Sequence, residues 1–230
     1  MTKISKNDFI ELDFTGIVDG TNEIFDTTIL EDAKKANFNT DKLKPFILSV
    51  GNKMLPQGFD DDLEGKELNK EYEIILSPQD AFGKRNSQLV KMIPTKHFLE
   101  QKINPQQGMQ LSLDGQLVKI LSSSGGRTLV DFNNPLAGKK IKYRYKINKK
   151  IADAETKINS LQDFLFRKQF PFKIDNTKKQ VTLTLSKQEE KISKIIEMLS
   201  KPFEDILGLK VLTEISAETP NEKEQKQNKE

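Results

Sequence analysis

The sequence predicts an α+β protein assembled from several units, and three observations carry that prediction. Short segments in which apolar and polar residues alternate dominate the first 150 residues, the mark of half-buried strands. Beyond residue 150 the apolar spacing lengthens to the helical period. Charge is unevenly divided: residues 1 to 83 hold 9 Lys and Arg against 17 Asp and Glu, residues 84 to 150 hold 14 against 3, and residues 151 to 216 hold 11 against 10. An acidic block followed by a basic one predicts two different surfaces, and 230 residues suffice for two or three small domains.

In chain order, Ile10, Leu12 and Phe14 alternate with polar residues and predict a strand that ends at the Asp19-Gly20 turn. A polar excursion follows Phe25-Asp26, and apolar residues resume at Phe46. The pattern predicts a short helix over 58–64 and a strand over 72–76, so the first 83 residues are mostly β with one short helix. Residues 86–131 read as a meander of small strands, punctuated by Asp114-Gly115 and Gly125-Gly126. Ile141, Tyr143, Tyr145 and Ile147 then alternate strictly with Lys142, Arg144 and Lys146, a strand that returns to the first unit.

After residue 150, Ile158, Leu161 and Leu165 predict a helix, and Val181, Leu183 and Leu185 a hairpin strand. Ser186 to Glu189 has the pattern of a capping box opening a helix. Along that helix Ile192, Ile195, Ile196, Leu199, Phe203, Ile206 and Leu207 share one face, with Pro202 as a kink or break, and a last strand covers 211–215. Residues 151–216 thus form a separate small α+β domain. The tail 217–230 carries almost no apolar residue and is expected to be disordered.

Composition removes several chemistries. The absence of cysteine excludes disulfides, thiolate catalysis and Cys-based metal sites, and fits a reducing compartment. His97 is the single histidine; it lies beside no serine-nucleophile motif and is expected to be exposed or capping. No metal and no cofactor is therefore expected. The N-terminus lacks the apolar run of a signal peptide, and no segment has the length of a membrane span, which predicts a cytoplasmic protein without membrane contact.

One stretch resists a bland reading. "LSPQDAFGKRN", residues 76–86, places Phe82 in a polar turn, although burying such a ring is worth roughly 1.5–3 kcal/mol. Phe14, Phe25, Phe46, Phe59 and Tyr143 also sit in or beside β segments and turns, with Asp26 next to one of them. Spacing alone leaves two readings open, an ordinary β core or a lined pocket.

"FTGIVDG", "FDTT", "KPFILSVGNKMLPQGFDDDLEGKE", "PQDAFGKRN" and "NNPLAGKKIKYRYKI", in this order and spacing, resemble the FKBP-type peptidyl-prolyl cis-trans isomerases, and within them the SlyD-like branch. The region beyond residue 150 is similar to the long-chain archaeal members in length and element order only. The resemblance implies an antiparallel sheet wrapped on a short helix over 1–85 and 132–150, a small β-rich insert-in-flap chaperone domain over 86–131, and the C-terminal domain. It also implies isomerase and folding-chaperone activity on proline-containing unfolded or nascent chains.

By the same resemblance Phe59 is the pocket floor, and Phe14, Phe25, Phe46, Leu55, Phe82 and Tyr143 are walls. Asp26 is the polar group near the twisting carbonyl, and Leu136 the returning flap. Two departures stand out. Phe82 replaces a tyrosine usual in the family, removing a phenolic hydroxyl. Pro56, aligned without a gap, stands where a backbone N–H normally holds the bound peptide, unless an insertion at Gln57 leaves Leu55 as the donor. These departures keep a second reading alive, a holdase or ribosome-associated chaperone with a weak or decayed isomerase site.

In the insert, Met92, Ile93, Phe98, Met109, Leu111, Leu113 and Leu121 are either contacts for unfolded chains or the small domain's own core. The basic excess of 84–150 reads as a solvated face, as an attraction for acidic segments, or as an RNA or ribosome contact, although no RNA-binding motif accompanies it. A free hairpin edge and apolar helix faces in the last domain suggest a homodimer through it.

Overall fold

The computed structural model describes residues 3–216, so the tail expected to be disordered lies outside the described residues. The architecture is mixed, with two antiparallel sheets and one three-stranded sheet that combines both pairings.

Strand β1 (Phe9–Val18) organises the first sheet. Its first half pairs with β3 (Phe46–Ser49) and its second half with β2 (Ile24–Thr27), both antiparallel. On its other side lies β9 (Ile141–Lys150), followed by β4 (Glu71–Leu76), giving the order β2-β1-β9-β4. Ile141, Tyr143, Tyr145 and Ile147 are buried as their alternation requires, while Arg144 is exposed. A strand that follows the insert in sequence therefore sits at the middle of the sheet.

Two short helices accompany this sheet rather than the one expected. The polar excursion contains α1 (Leu30–Lys35), with Glu31 and Asp32 in its first turn and Lys34 and Lys35 in its last, each sign matched to the helix dipole. Helix α2 (Gln57–Asp62) starts after Pro56, where a missing N–H costs nothing because the first turn has no acceptor for it. It carries Phe59 into the core with no exposed surface.

Residues 86–131 form a four-stranded sheet in the order β5-β8-β7-β6. The hairpins β6 (Gln110–Leu113) to β7 (Gln116–Ser124) and β7 to β8 (Arg127–Asp131) turn at the two expected positions. The segment is nevertheless not a simple meander. Strand β5 (Val90–Pro94) passes through α3 (Thr95–Glu100) and joins the far side of β8, pairing Val90 with Asp131, a non-local contact that turn residues do not announce. Phe98, Val118, Ile120 and Val130 form its own core, with Ile93, Leu111 and Leu113 packed against it. Phe98 is thus interior, whereas Met92 and Met109 are exposed. His97 is exposed on α3, near Glu100.

Helix α4 (Ala154–Phe166) is capped by Asp153, whose carboxylate accepts the Thr156 N–H. Strands β10 (Phe172–Asp175) and β11 (Gln180–Leu185) form the expected hairpin, and β12 (Lys210–Ile215) adds in parallel to β11. The Ser186–Glu189 capping box is present but opens a 3₁₀ segment, Lys187–Ile192, rather than an α-helix. Helix α5 (Ser193–Leu199) stops at Ser200, and α6 (Lys201–Leu207) starts anew with Pro202 in its first turn, where proline is tolerated. The break divides the expected face: Ile196 and Phe203 are buried, whereas Ile195 and Leu199 are exposed. Apolar contacts run without a break from Ile10 and Leu12 of the first sheet to Ile158, Leu161 and Phe203, while the insert keeps its separate core.

Candidate active site

Six aromatic residues expected to line a pocket converge in one cluster. Phe14 meets Phe46, Phe59 and Tyr143 edge to face at 6.4, 6.1 and 6.0 Å between ring centroids. Phe25 meets Phe82 and Tyr143 at 5.7 and 5.9 Å, and Phe59 stacks on Tyr143 at 4.3 Å. Each arrangement is one that the ring quadrupoles favour. Phe14, Phe59 and Tyr143 are buried; Phe25, Phe46, Phe82, Leu55 and Leu136 are half-buried and pack against the same core. The result is an apolar base with a rim of rings that keep part of their surface in water.

Sequence and local geometry place each of these rings. Gly16 on β1 leaves the gap that Phe25 occupies, since a Cβ built there would come within 2.5 Å of the Phe25 ring. Ala81-Phe82-Gly83 is a tight turn in which the Gly83 N–H donates to the Pro78 carbonyl with φ at +83°, the left-handed region that favours glycine. The Gly138 N–H donates to the Gly83 carbonyl and ties the Leu136 segment to the Phe82 turn. Beside it the Asn86 N–H donates to Asn133 Oδ1, Asn133 Nδ2 donates to the Asn86 carbonyl, and Arg85 pairs with Asp131. These bonds clasp the two chain segments that lead into and out of the insert.

Beneath the rim, α2 supplies a brace that sequence reasoning missed. Asp60 is buried, and its two oxygens accept the Gly51 and Lys53 N–H groups, each at 2.8 Å. It thereby holds the turn that precedes Leu55. Burial pushes the Asp60 carboxyl above its ordinary value despite these two bonds. In "GFDDDLEG" three successive aspartates look alike, and nothing local marks the middle-facing one. The Leu55 N–H has no partner among the described residues, and Pro56 has none to offer. A second unforeseen brace joins Thr15, whose hydroxyl donates to Asp32 Oδ2 at 2.7 Å, with Arg144, which donates to the same oxygen at 3.0 Å. The Thr15 bond, chiefly, holds the Asp32 carboxyl below its ordinary value.

Asp26 is exposed by area, yet the rings beside it displace enough water to push its carboxyl up, against the pull of the Thr27 N–H. Burial likewise pushes the Tyr143 hydroxyl well above the ordinary tyrosine range, with the Asp26 charge adding to it. Among the described residues no group of three or more His, Cys, Asp or Glu could hold a metal ion, and no helix is long and apolar enough to cross a membrane.

A separate cleft of about 750 Å³ opens between the rim and the insert. Of the nine expected site residues only Phe25 and Leu136 line it; Leu117, Lys119 and Leu121 of β7 form its opposite wall. The aromatic cluster and this cleft therefore meet at Phe25 and Leu136 but are not one cavity.

Comparison with known proteins places this geometry. Residues 1–104 match the family model described as FKBP-type peptidyl-prolyl cis-trans isomerase, and residues 91–136 match one described as FKBP26, IF domain. A short-type peptidyl-prolyl cis-trans isomerase of Methanocaldococcus jannaschii is 32% identical over 146 residues, covering 63% of this chain and 92% of that protein. The FKBP-type isomerase SlyD of Aeromonas hydrophila is 23% identical over 147 residues, 63% of each chain. An FKBP-type 16 kDa isomerase of Escherichia coli is 26% identical over 122 residues, 51% of this chain and 81% of that one. The family match, the SlyD relatives and the extent of the archaeal alignment agree: this chain belongs to the FKBP-type peptidyl-prolyl cis-trans isomerases, and is an isomerase of the SlyD-like kind.

Proposed function

We propose that this isomerase acts on X–Pro bonds of unfolded or partly folded polypeptides in the cytoplasm, and that its insert holds those chains as a chaperone. Residues 1–85 with 132–150 would be the catalytic unit, 86–131 the insert-in-flap domain, and 151–216 a C-terminal domain. The observation that carries the reading is the six-ring cluster with an unengaged backbone donor, the Leu55 N–H, at its edge.

Rotation about an X–Pro bond faces a barrier near 20 kcal/mol and takes about 10–100 s uncatalysed. Amide resonance, which separates charge onto oxygen and nitrogen, is the source of that barrier. Twisting by about 90° abolishes the resonance, so the transition state is less polar than the ground state and is favoured in a dry aromatic site. An acceleration of about 10⁴-fold needs only about 5.5 kcal/mol of selective stabilisation, within reach of desolvation and shape and requiring no nucleophile or metal. Phe59 would be the floor, Phe14, Phe25, Phe46, Phe82, Leu55 and Tyr143 the walls, Leu136 the flap, and Asp26 the polar group beside the twisting bond. The Leu55 N–H would hold the peptide, which favours an insertion at Gln57 over donation from position 56.

The insert supports recruitment through exposed Met92, Met109 and Leu117 and through the cleft it shares with Phe25 and Leu136, which raises the concentration of prolines near the pocket. A second copy of the chain is proposed as a partner at the C-terminal domain, supported by the edge of β10, which no strand among the described residues pairs with, and by Ile195, Met198 and Leu199 exposed together on α5.

The test is refolding of a proline-limited protein with wild type and with a deletion of 86–131, alongside a short proline peptide. The reading requires wild type to accelerate both reactions and the deletion to lose most of its effect on the protein only. Suppressed aggregation with an unchanged slow phase would replace it by the holdase reading, which the missing hydroxyl at Phe82 favours.

A further inference from the structure

Tyr143 has a feature the pocket reading does not use. Only 2% of its surface is exposed, and its ring is held on three sides by Phe14, Phe25 and Phe59, yet its hydroxyl has no hydrogen-bond partner among the described residues. The other two tyrosines are engaged: Tyr145 donates to Asp62, and Tyr72 accepts the Glu67 N–H. The side chain is enclosed but its oxygen is not, and an unpartnered hydroxyl left open to a ligand at the edge of an aromatic cluster calls for a role.

Its position supplies one. Cα register sets Asp26 on β2, Gly16 on β1 and Tyr143 on β9 in a single row across three strands. Directly opposed residues of an antiparallel sheet project to the same face. Gly16 contributes no side chain, and the Phe25 ring lies over it, beside Tyr143. The hydroxyl is therefore presented at the aromatic cluster beside Asp26, whose charge acts on it. Phe14 and Phe82 are both phenylalanines, so Tyr143 carries the only phenol among the six rings.

We propose that the Tyr143 hydroxyl is a catalytic hydrogen-bond donor that contacts the prolyl nitrogen of the substrate as the X–Pro bond twists. In the planar amide the nitrogen lone pair is delocalised into the carbonyl, and the nitrogen is a poor acceptor. At about 90° of twist the pair returns to nitrogen, which can then accept a hydrogen bond. No proton is transferred and no bond is made or broken; the O–H bond stays intact. Because the contact exists only near the transition state, it lowers the barrier without tightening ground-state binding. The proposal rests on the isomerase reading above and names the polar group through which the site acts.

The test is Tyr143→Phe, which keeps the ring and its stack on Phe59. Removing an unpartnered hydroxyl leaves the fold intact, checked by an unchanged thermal melt. With a short proline peptide the expected result is a fall in kcat of about 3- to 10-fold, the worth of one neutral hydrogen bond, with KM and the dissociation constant of a non-reacting proline peptide changed less than twofold. An unchanged kcat, or a loss seen wholly in KM, overturns the proposal while leaving the isomerase reading in place. A wild-type enzyme inactive on the peptide overturns the isomerase reading and this donor together.

Discussion

Replacing Asp60 by alanine removes the acceptor of two backbone N–H groups at once, those of Gly51 and Lys53. A hydrogen bond to a charged group contributes about 1.5–3 kcal/mol, and a buried donor left unpaired costs about 1–3 kcal/mol. The turn is only part-buried, so water satisfies some of what is lost, and a net destabilisation of about 2–4 kcal/mol is expected. For a chain of this length each kcal/mol moves the midpoint by about 2–4 °C, so Tm should fall by roughly 4–16 °C. Asp60→Asn keeps one carbonyl acceptor and should lose about half as much. Calorimetry or urea melts of the three proteins measure the fall, and peptide isomerisation measures its consequence. Because the turn leads into Leu55, KM should rise several-fold in Asp60→Ala with a smaller change in kcat. A destabilisation below about 0.5 kcal/mol, or an asparagine variant as damaged as the alanine one, would refute the clamp.

Phe59→Ala deletes a fully buried ring that touches Phe14, Tyr143 and Tyr145; a loss of about 3–5 kcal/mol is expected in urea melts, together with isomerase activity. Phe82→Tyr adds a hydroxyl at a half-buried rim position and should raise kcat/KM on a proline peptide several-fold without moving Tm by more than about 2 °C. The Asp32 carboxyl is depressed in the fold, so its contribution is complete above the ordinary aspartate value near 3.9 and fades as pH falls below it; Asp32→Asn should flatten that part of the acid melt. Asp26 and Asp60 are raised, so the sign reverses: their ionisation costs stability as pH climbs through their folded values, and Asp26→Asn should remove part of that fall. Sedimentation at micromolar concentration should show a dimer that a Met198→Glu change on α5 disrupts, and a monomeric wild type would exclude that interface.

The parts of this fold that could be read from sequence are those set by local periodicity. Ile141 to Ile147 announce β9 because each second residue is buried, and Ser186 with Glu189 announces a helical start because the capping bonds span three residues. What followed Ser186 was legible only in part: Pro202 announces the break between α5 and α6, whereas the capping pattern does not say that the first turns after it are 3₁₀ rather than α-helical. The outer placement of β5 was not legible either: it is fixed by pairing Val90 with Asp131 across the whole insert. Within the site, the aromatic positions stood out because rings in polar turns need a reason. Asp60 and Thr15 did not, because a buried carboxylate and a buried hydroxyl look like surface residues until their backbone and side-chain partners are known.

The order of strands also sets a timetable. Strand β9 lies between β1 and β4, yet it is made 65 residues after β4 ends at Leu76, with the whole insert in between. At about 5–20 residues per second, synthesis leaves an interval of roughly 3–13 s in which β1 and β4 have emerged but have no neighbour to join them. The insert is complete at Asp131, ten residues before β9 begins, so about 0.5–2 s of that interval remain for it to close on its own core, whereas the aromatic cluster cannot exist before Tyr143 arrives. Completion of the first sheet and its aromatic cluster is thereby delayed until every strand of the four-stranded sheet has been made.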